Sequence, residues 1–344
     1  YHKILGGRVT KVLIVGAGAV GQVYGHYLQR GGAEVSFFVK EKYKEECEQG
    51  FALYRSRRVG LSAPERFKAE SILTSYEEVA SSQWDQVWIA ITSTDLRGEW
   101  LSTLKNTIGS ATLVMLQPDL DDRDYVLEVF SSEQLVYGLA NFLSYQTPLP
   151  DMPSHHRDYD KKGVAYLLLP MMSAEFSGNP ERLPGVLDAL ADGRFPVKIQ
   201  QNVPRIYADR SAMMIPLIAL LEVNTWSIER LSNSDLLDTS VDAVQEALGV
   251  VAAKFHRPLN LTEKYFSAWW LKVGLPFIRW LAPMDVESFL KYQFQKTSGQ
   301  TRFMLQHFIV QGEKEGKNVS SLRTLLDRLP AMPENDAFDS VPAA

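Results

Sequence analysis

A glycine-rich turn directly after a short apolar run places the strongest constraint on what this chain can fold into. The run is Lys11–Val15, and Gly16, Gly18 and Gly21 follow it with the spacing G-x-G-x-x-G. In a strand–turn–helix unit, the first glycine allows the tight turn, the second lets the backbone approach a pyrophosphate, and the third lets the helix pack on the strand. We therefore predict a dinucleotide-binding turn. Its predicted contacts are Gly16, Gly18, Ala19, Val20 and Gly21.

Short apolar runs alternate with helical stretches over the first 200 residues. This alternation predicts a parallel, doubly wound α/β sheet with right-handed crossovers. We expect a Rossmann dinucleotide-binding domain over residues 9–202. After the strand at 11–15, the predicted strands are Glu34–Val39, Gln86–Ile91, Thr112–Leu116, Leu135–Leu139, Val164–Leu169 and Val197–Gln200.

From residue 203 onwards the apolar residues follow the 3.6-residue period of a helix. Leu217, Leu220 and Leu221 share one stripe, and the same period continues to about residue 329. We predict an all-α substrate and dimerisation domain over residues 203–330. A polar, proline-containing tail over 331–344 is predicted to be disordered. The further predicted helices are 240–255, 263–275, 301–315 and 320–329.

Charge and cysteine content exclude several classes of protein. Acidic residues number 41 against 36 Lys and Arg, so the basic surface that nucleic acid requires is not expected. Cys47 is the single cysteine, and without a Cys or His cluster around it we predict no disulfide and no metal site. The first residues lack the pattern of a signal peptide, and a cytoplasmic location is therefore expected.

The most apolar stretch of the chain, Phe266–Pro283, is interrupted by Lys272, Pro276 and Arg279. It is too short and too charged to span a bilayer comfortably, so we predict no membrane span. A buried helix pair or a subunit interface is the favoured interpretation. Any homodimer is expected to form through this helical domain.

The residue after the second strand bears on which dinucleotide binds. An NAD site usually carries an acidic residue there to bind the ribose hydroxyls, whereas this chain has Lys40, with Lys42 close behind. A cation at this place favours the 2′-phosphate of NADPH. Glu41 leaves the alternative open, since it could accept the ribose hydroxyls itself. Thr92 and Gln117, each just after a predicted strand, complete the predicted cofactor contacts.

With the glycine turn, Lys40 and the helical second half, the chain resembles the ketopantoate reductase family, NADPH-dependent enzymes that reduce 2-dehydropantoate to pantoate. The resemblance implies a Rossmann domain followed by a helical domain of the 6-phosphogluconate dehydrogenase type, with the active site between them. It runs from about residue 11 to residue 329. The segments that carry it are Val12–Gly50, Pro184–Gln200, Met214–Leu217 and Gly316–Leu329.

The polar residues that this family uses to handle its keto acid differ in the present chain. Counting back from Pro216, the family's catalytic lysine corresponds to Tyr207, and a gap of two or three residues would select Asp209 or Arg210 instead. The glutamate of the last long helix corresponds to Gln300. The other correspondences are Ser211 and Ile215 for two asparagines, Pro118-Asp119 for an Asn-Gly pair and Thr94 for a lysine.

These substitutions affect the chemistry directly, because hydride transfer to a carbonyl leaves an alkoxide that must be protonated or held by a cation. Tyr207 is the candidate proton donor, provided that Arg205 or Arg210 lowers its pKa; the alternative is an ordinary tyrosine at a helix start. Gln300 can orient a substrate but cannot exchange a proton. The candidate catalytic residues are thus Tyr207, Arg210 and Gln300.

Three functional hypotheses follow. The first is an NADPH-dependent reductase of a small carbonyl or imine compound other than 2-dehydropantoate. The second is an NADP-binding pseudoenzyme or sensor with a remodelled cleft. The third is a ketopantoate reductase whose lysine comes from elsewhere, which requires Lys254 or Lys296 to reach the cleft.

Overall fold

The computed structural model of the chain describes residues 9–56, 61–148, 162–168, 171–268, 286–295 and 298–331. Three sequence predictions lie wholly or mostly outside these residues: Lys296, the apolar stretch from residue 269 onwards, and the disordered tail.

The described residues form strands in two sheets. In chain order the strands are β1 (Lys11–Val15), β2 (Glu34–Phe38), β3 (Phe51–Arg55), β4 (Glu65–Phe67), β5 (Ile72–Leu73), β6 (Gln86–Ile89), β7 (Thr112–Met115), β8 (Leu135–Leu139), β9 (Phe142–Thr147), β10 (Gly163–Leu168), β11 (Ala174–Gly178) and β12 (Val197–Ile199).

The helices fall between the strands in the first half and follow one another in the second. They are α1 (Ala19–Arg30), α2 (Lys44–Glu48), α3 (Tyr76–Ala80), α4 (Trp100–Ile108), α5 (Asp122–Leu127), α6 (Leu183–Asp192), α7 (Val203–Val223), α8 (Ile228–Ser232), α9 (Leu237–Lys254), α10 (Leu261–Lys264), α11 (Val286–Gln295), α12 (Ser298–Lys314) and α13 (Ser320–Arg328).

The larger sheet has the order β12-β11-β8-β7-β6-β1-β2-β5. From β8 to β5 all neighbouring strands are parallel, as predicted. Apolar side chains cover both faces of this region, because helices pack on each side of a parallel sheet. The Rossmann fold is confirmed, and the reversal of strand order between β6 and β1 creates the crevice where such sheets bind ligands.

Strand β11 departs from the predicted all-parallel order, because it runs antiparallel to β8. After β8 the chain enters the smaller sheet through β9 and β10, and β11 then begins beside the carboxyl end of β8, where Glu175 pairs with Leu139. A parallel neighbour requires a crossover back to the opposite edge. The short return therefore makes β11 antiparallel.

The smaller sheet has the order β4-β3-β10-β9. Of its strands only β10 was predicted, and it was assigned to the main sheet. Helix α1 lies between the two sheets: Tyr27 on this helix bonds through its hydroxyl to that of Tyr166 on β10, at 3.1 Å. Tyr24 on the other side contacts Trp88 of β6, with ring centroids 5.0 Å apart. Both faces of α1 are thus buried.

The regular elements of the second half are all helices among its described residues, with α7 and α9 packed along each other and α12 and α13 against both. Their shared core is made largely of leucine, valine and alanine side chains. The helix predicted over 263–275 is helical at 263–264 but interrupted after Lys264, because residues 266–267 are not helical, and its residues from 269 onwards lie outside the described part of the chain. No helix among the described residues is long and apolar enough to cross a membrane.

Candidate functional site

The glycine turn lies between β1 and α1, at the carboxyl edge of the larger sheet. Gly16 has a φ of +96°, a conformation that favours glycine. Its N–H donates to the Phe38 carbonyl oxygen on β2, at 3.0 Å. A Cβ at Gly16 would also stand 2.7 Å from the Cγ2 of Ile91. The turn therefore requires glycine at this position for both conformation and space.

Gly18 and Gly21 have different surroundings. A Cβ added at Gly18 would meet no atom of the described residues within 4 Å, whereas one at Gly21 would lie 2.5 Å from the Gly16 carbonyl oxygen. Gly18 is the N-cap residue of α1 and offers no side chain to the free N–H groups there. This open cradle at a helix N-terminus has the form that a pyrophosphate requires.

The end of β2 carries the residues that bear on coenzyme preference. Lys40 is half-buried and lies two residues after the strand, while Glu41 and Lys42 are exposed. Lys42 places its ammonium group 5.2 Å from the ring centre of Tyr43. The position of the usual ribose-binding acid is thus occupied by a partly covered cation.

Thr92 and Gln117 lie after β6 and β7 at the same sheet edge. Thr92 bonds through its hydroxyl to Thr94, at 2.7 Å, and to the carboxylate of Asp95. Gln117 is buried, and its amide donates to the carbonyl oxygens of Ile89 and Ile91, both at 2.8 Å. Gln117 therefore holds the loop after β6 in place up to Ile91, the residue directly before Thr92.

Tyr207 lies on the second turn of α7 and lines a cleft between the sheet and the helices. Its hydroxyl accepts the backbone N–H of Ala140, at 3.2 Å. Burial raises the pKa of Tyr207 to about 12, although that hydrogen bond and the charge of Arg210 act in the opposite direction. The expected lowering of this pKa by a neighbouring cation is therefore wrong, because burial outweighs the nearby charge.

Arg210 is engaged with the end of the sheet. Its guanidinium group donates to the Asn141 side-chain oxygen and lies 3.5 Å from the carboxylate of Glu175. Asp209, the other residue that the sequence count allowed, pairs with Arg257 in the helical half. Neither side chain lines the cleft that contains Tyr207.

The remaining positions matched to the family also have partners within the chain. Ser211 donates from its hydroxyl to the Pro118 carbonyl oxygen, at 2.9 Å, and so attaches α7 to the loop after β7. Ile215 is buried. Gln300 lies at the start of α12, with its amide nitrogen 3.8 Å from the sulfur of Met304. The structure thus does not bring Tyr207, Arg210 and Gln300 around one point.

The cleft is lined by several charged residues, among them Lys254, which the third hypothesis requires to reach it. The loop after β7 and the first turn of α5 contribute Asp119, Asp122 and Asp124, and the end of α9 contributes Lys254. The Lys254 ammonium group contacts Asp121 at 2.7 Å and Asp124 at 2.8 Å. Burial alone would lower the pKa of Lys254, but its hydrogen bonds to these carboxylates raise it. Lys254 therefore reaches the cleft as a paired cation.

Asp119 and Asp122 are both buried and share one guanidinium group. Arg97 contacts Asp122 at 2.9 Å and Asp119 at 3.6 Å. Asp122 also accepts the hydroxyl of Ser93, at 2.7 Å. Burial, followed by the charge of Asp119, raises the pKa of Asp122 to about 7, and Arg97 opposes this shift. The two carboxylates thus compete for ionisation in a small volume.

His307 on α12 completes this cluster from the helical side. Its Nδ1 lies 2.6 Å from the Oδ2 of Asp119, and its ring packs on Phe303 with centroids 4.1 Å apart. Burial lowers the pKa of His307, but the hydrogen bond to Asp119 outweighs it, so the pKa is raised overall. A carboxylate and an imidazole in this arrangement can hold and release a proton.

In the described part of the chain, no group of three or more His, Cys, Asp or Glu residues is placed so that it could hold a metal ion. Cys47 is buried, and burial raises the pKa of its thiol to about 11. An unreactive thiol is expected there.

Residues 12–160 match the family model of ketopantoate reductase PanE/ApbA. This match confirms the resemblance to the ketopantoate reductase family. Solved structures have the same fold as the chain. A PanE/ApbA family ketopantoate reductase from Ralstonia eutropha JMP134 is 18% identical, with 93% of this chain and 97% of that chain covered and a TM-score of 0.66.

Two further solved structures have the same fold. The 2-dehydropantoate 2-reductase of Methylococcus capsulatus is 16% identical, with 92% of this chain and 94% of that chain covered and a TM-score of 0.63. D-mandelate dehydrogenase, solved with NADH and anilino(oxo)acetate, is 14% identical, with 93% and 97% covered and a TM-score of 0.65. No curated protein sequence matches the chain. At these identities the three structures show that the chain shares their fold.

The resemblance to the ketopantoate reductases predicted site residues on α7. It did not predict the cluster of Asp119, Asp122 and His307. Asp119 was noted only as the partner of Pro118 in a replaced Asn-Gly pair, and His307 belongs to no motif. Asp119 and His307 are 188 positions apart in the chain, and nothing in the sequence indicates that they are in contact. The one available signal was the high density of Asp at 119–124 directly after a predicted strand, where such sheets bind ligands.

Proposed function

We propose that this chain is a nicotinamide-dinucleotide-dependent reductase of a small molecule, with the C=O or C=N group as the reacting bond. The observation that supports it best is the open cradle at Gly18, at the N-terminus of α1 and at the crevice between β1 and β6. When bound there, a reduced nicotinamide supplies a hydride. The α1 N-terminus would hold the pyrophosphate, and the ends of β6 and β7 would border the reacting ring.

The preferred coenzyme in this proposal is NADPH. Support comes from Lys40, a half-buried cation in the place where an NAD site usually has a carboxylate. A 2′-phosphate gains a charge-assisted contact there, whereas an adenosine ribose with free hydroxyls gains none. D-mandelate dehydrogenase, which has the same fold, has been solved with NADH. The preference for NADPH or NADH must therefore be measured for each protein of this fold.

The substrate in this proposal is not 2-dehydropantoate. The residues at the family's substrate-handling positions are Tyr207, Ser211, Ile215 and Gln300, and none of them supplies the lysine cation or the carboxylate of the family. Tyr207 and Ser211 already bond to the backbone of Ala140 and Pro118. A keto acid would therefore find neither its cation nor its proton donor at these positions.

Calorimetry followed by a substrate screen tests the proposal. NADPH and NADH are titrated into the purified protein, and NADPH oxidation is then followed with a panel of keto acids, aldehydes and imines that includes 2-dehydropantoate. We expect NADPH to bind more tightly than NADH and turnover with a panel member other than 2-dehydropantoate. Equal affinities would remove the NADPH preference, and 2-dehydropantoate turnover on the order of 1 s⁻¹ would contradict the substrate assignment.

A second candidate function is an NADP-binding sensor without catalysis. It is favoured by the way that Tyr207, Arg210 and Ser211 make hydrogen bonds within the chain. In that case NADPH would bind with the same dependence on Gly18 and Lys40, but no panel member would be reduced.

Five narrower assignments belong to the same proposal. The domain division falls at residue 202, since the last strand ends at Ile199 and α7 begins at Val203. Tyr207, Arg210 and Gln300 remain candidate substrate contacts. Small molecules are the proposed ligands, and a homodimer would form through the helical domain. A cytoplasmic location is proposed from the single, buried cysteine.

A further inference from the structure

We propose that His307, held in place by Asp119, donates the proton that completes the reduction. This inference rests on the proposed reductase function and assigns its general acid to a residue on α12, opposite the α7 position where the family has its lysine. The step has two requirements. The donor ring must have one nitrogen held in place and the other accessible to a ligand, and it must lie at the edge of the cleft.

The geometry of His307 meets the first requirement. Nδ1 lies 2.6 Å from Asp119 Oδ2, so Nδ1–H donates to the carboxylate and fixes the tautomer and the ring plane. Nε2 makes no hydrogen bond within the described part of the chain. The side chain keeps 22% of its surface exposed. The second nitrogen can therefore reach a ligand.

The second requirement, a position at the edge of the cleft, is met because the partner of His307, Asp119, lines the cleft. Its side chain lines the same cleft as Gln117 and Tyr207, at the carboxyl edge of β7. Strand β7 pairs with β6, which in turn pairs with the strand that carries the glycine turn. Gln117 connects these loops by donating to the Ile89 and Ile91 carbonyl oxygens. The dyad therefore borders the crevice where the sheet order reverses.

Charged groups reach His307 from both loops that pack against α12. The loop after β7 contributes Asp119 and Asp121, which stabilise the protonated ring, and the loop after β6 contributes Arg97, which opposes it. Arg97 itself pairs with Asp119 and Asp122. An imidazolium is a general acid that can act near neutral pH.

Two proton carriers that line the cleft, Tyr207 and Lys254, suit the step less well. Tyr207 has its pKa raised to about 12 by burial, and its oxygen already accepts the Ala140 N–H. Lys254 holds its protons between Asp121 and Asp124. Proton transfer from either is less favourable than from an imidazolium whose pKa is closer to the operating pH.

The balanced step is as follows. The carbonyl carbon accepts the hydride of the reduced nicotinamide with its electron pair, and the C=O π bond breaks towards oxygen. The oxygen takes the proton of His307 Nε2–H and becomes a hydroxyl group, while the nicotinamide is left oxidised. Neutral His307 then regains a proton from water.

The first test observes His307 directly. In protein with ¹³C-labelled histidine, the Cε1–H resonance of His307 is assigned by its loss in His307→Asn and is titrated with pH, with and without saturating NADPH. We expect a midpoint above the ordinary 6.5, a lower midpoint in Asp119→Asn, and a shift on adding NADPH that disappears in Gly18→Val.

The second test separates chemistry from structure. In His307→Asn the amide nitrogen can still donate to Asp119 from the place of Nδ1, but no exchangeable proton remains at the place of Nε2. With the panel substrate that turns over fastest, we expect kcat to fall by about 10²- to 10⁴-fold while the NADPH affinity stays within about twofold. His256→Asn is the matched control, because His256 is exposed at the end of α9, outside the cleft.

Each outcome decides a separate point. If NADPH does not bind at all, the proposed function fails, and the inference fails with it. If NADPH binds but leaves the His307 resonance unchanged, or if His307→Asn retains full kcat, the assignment of the proton donor fails while the reductase function stands. A shifted resonance together with a loss of kcat in His307→Asn, but not in His256→Asn, supports the assignment.

Discussion

Gly18 is the N-cap residue of α1, and Gly21 lies in the first turn of that helix. A side chain at Gly18 should affect cofactor binding, whereas one at Gly21 should affect folding. We expect Gly18→Val to keep the wild-type melting temperature within a few degrees, because its Cβ enters open space and its φ of −68° suits any residue. Binding of NADPH in calorimetry should be lost, since the valine would occupy the pyrophosphate position.

Gly21→Val is the comparison for that experiment. Its Cβ would stand 2.5 Å from the Gly16 carbonyl oxygen, so this variant should lower the melting temperature or fail to fold. If Gly18→Val stays folded and still binds NADPH, the central assignment of the cofactor site is wrong.

Lys40 is the single residue on which the predicted preference for NADPH over NADH depends. A charge-assisted contact with a phosphate contributes about 1.5 to 3 kcal/mol, so Lys40→Ala should weaken NADPH binding by at least about tenfold and leave NADH nearly unchanged. Lys11→Ala is a suitable control because Lys11 lies at the opposite edge of the sheet and pairs with Glu34 at 3.9 Å. Equal loss of both coenzymes would assign Lys40 a structural role.

Single residues also mark the limit of what the sequence could predict about the site. The glycine turn was predictable because all its requirements lie within ten consecutive residues. The pairing of Asp119 with His307 was not, because it depends on how α12 packs against a loop from the other half of the chain. The pKa of Tyr207 was misjudged for the same reason: charge is visible in a sequence, whereas burial is not.

Among the helices, α1 and α9 each contain an interior glycine, and the two should respond oppositely to alanine. In α1, a Cβ at Gly25 would stand 2.8 Å from the ring of Phe37, which is fully buried and has little room to move. Gly25→Ala should therefore lower the free energy of unfolding by about 1 to 3 kcal/mol. In α9, no described atom lies within 4 Å of a Cβ at Gly249.

Gly249→Ala should accordingly raise the free energy of unfolding by about 0.5 to 1 kcal/mol, because alanine loses less conformational entropy in a helix. Urea denaturation of both variants measures the difference. Stabilisation by Gly25→Ala would mean that α1 packs more loosely between the two sheets than described.

Strands of the parallel sheet were predictable because burial on both faces gives them continuous apolar runs. The smaller sheet was largely missed: β3 follows a helical segment directly, and β4 has only three residues, two of them exposed. Short strands in a mixed sheet carry neither a clear period of two nor a long apolar run. Their pairing depends on α1 lying between the sheets, which is a tertiary property.

Considered as a whole, the molecule places a buried carboxyl group between its two halves, and its stability should depend on pH for that reason. The pKa of Asp122 is raised to about 7, above that of an unfolded aspartate near 3.9. A raised pKa contributes stability that is fully present at low pH and is lost as the pH rises through the folded value.

The prediction is therefore a difference between wild type and Asp122→Asn that changes with pH. Asparagine resembles the neutral carboxyl group, so the wild type should lose at least about 1 kcal/mol relative to the variant between pH 5 and pH 8. Urea denaturation at both pH values measures this. A constant difference would show that Asp122 ionises with its ordinary pKa.

Three helices of the second half contact one short loop of the first. Ser211 on α7 bonds to the Pro118 carbonyl oxygen, Lys254 at the end of α9 contacts Asp121, and His307 on α12 contacts Asp119. Inserting or deleting one residue between 118 and 121 would displace at least one of these contacts from the others. The length of this loop is thus restricted as strictly as its composition, and a homologous chain that alters it must rebuild three helix contacts together.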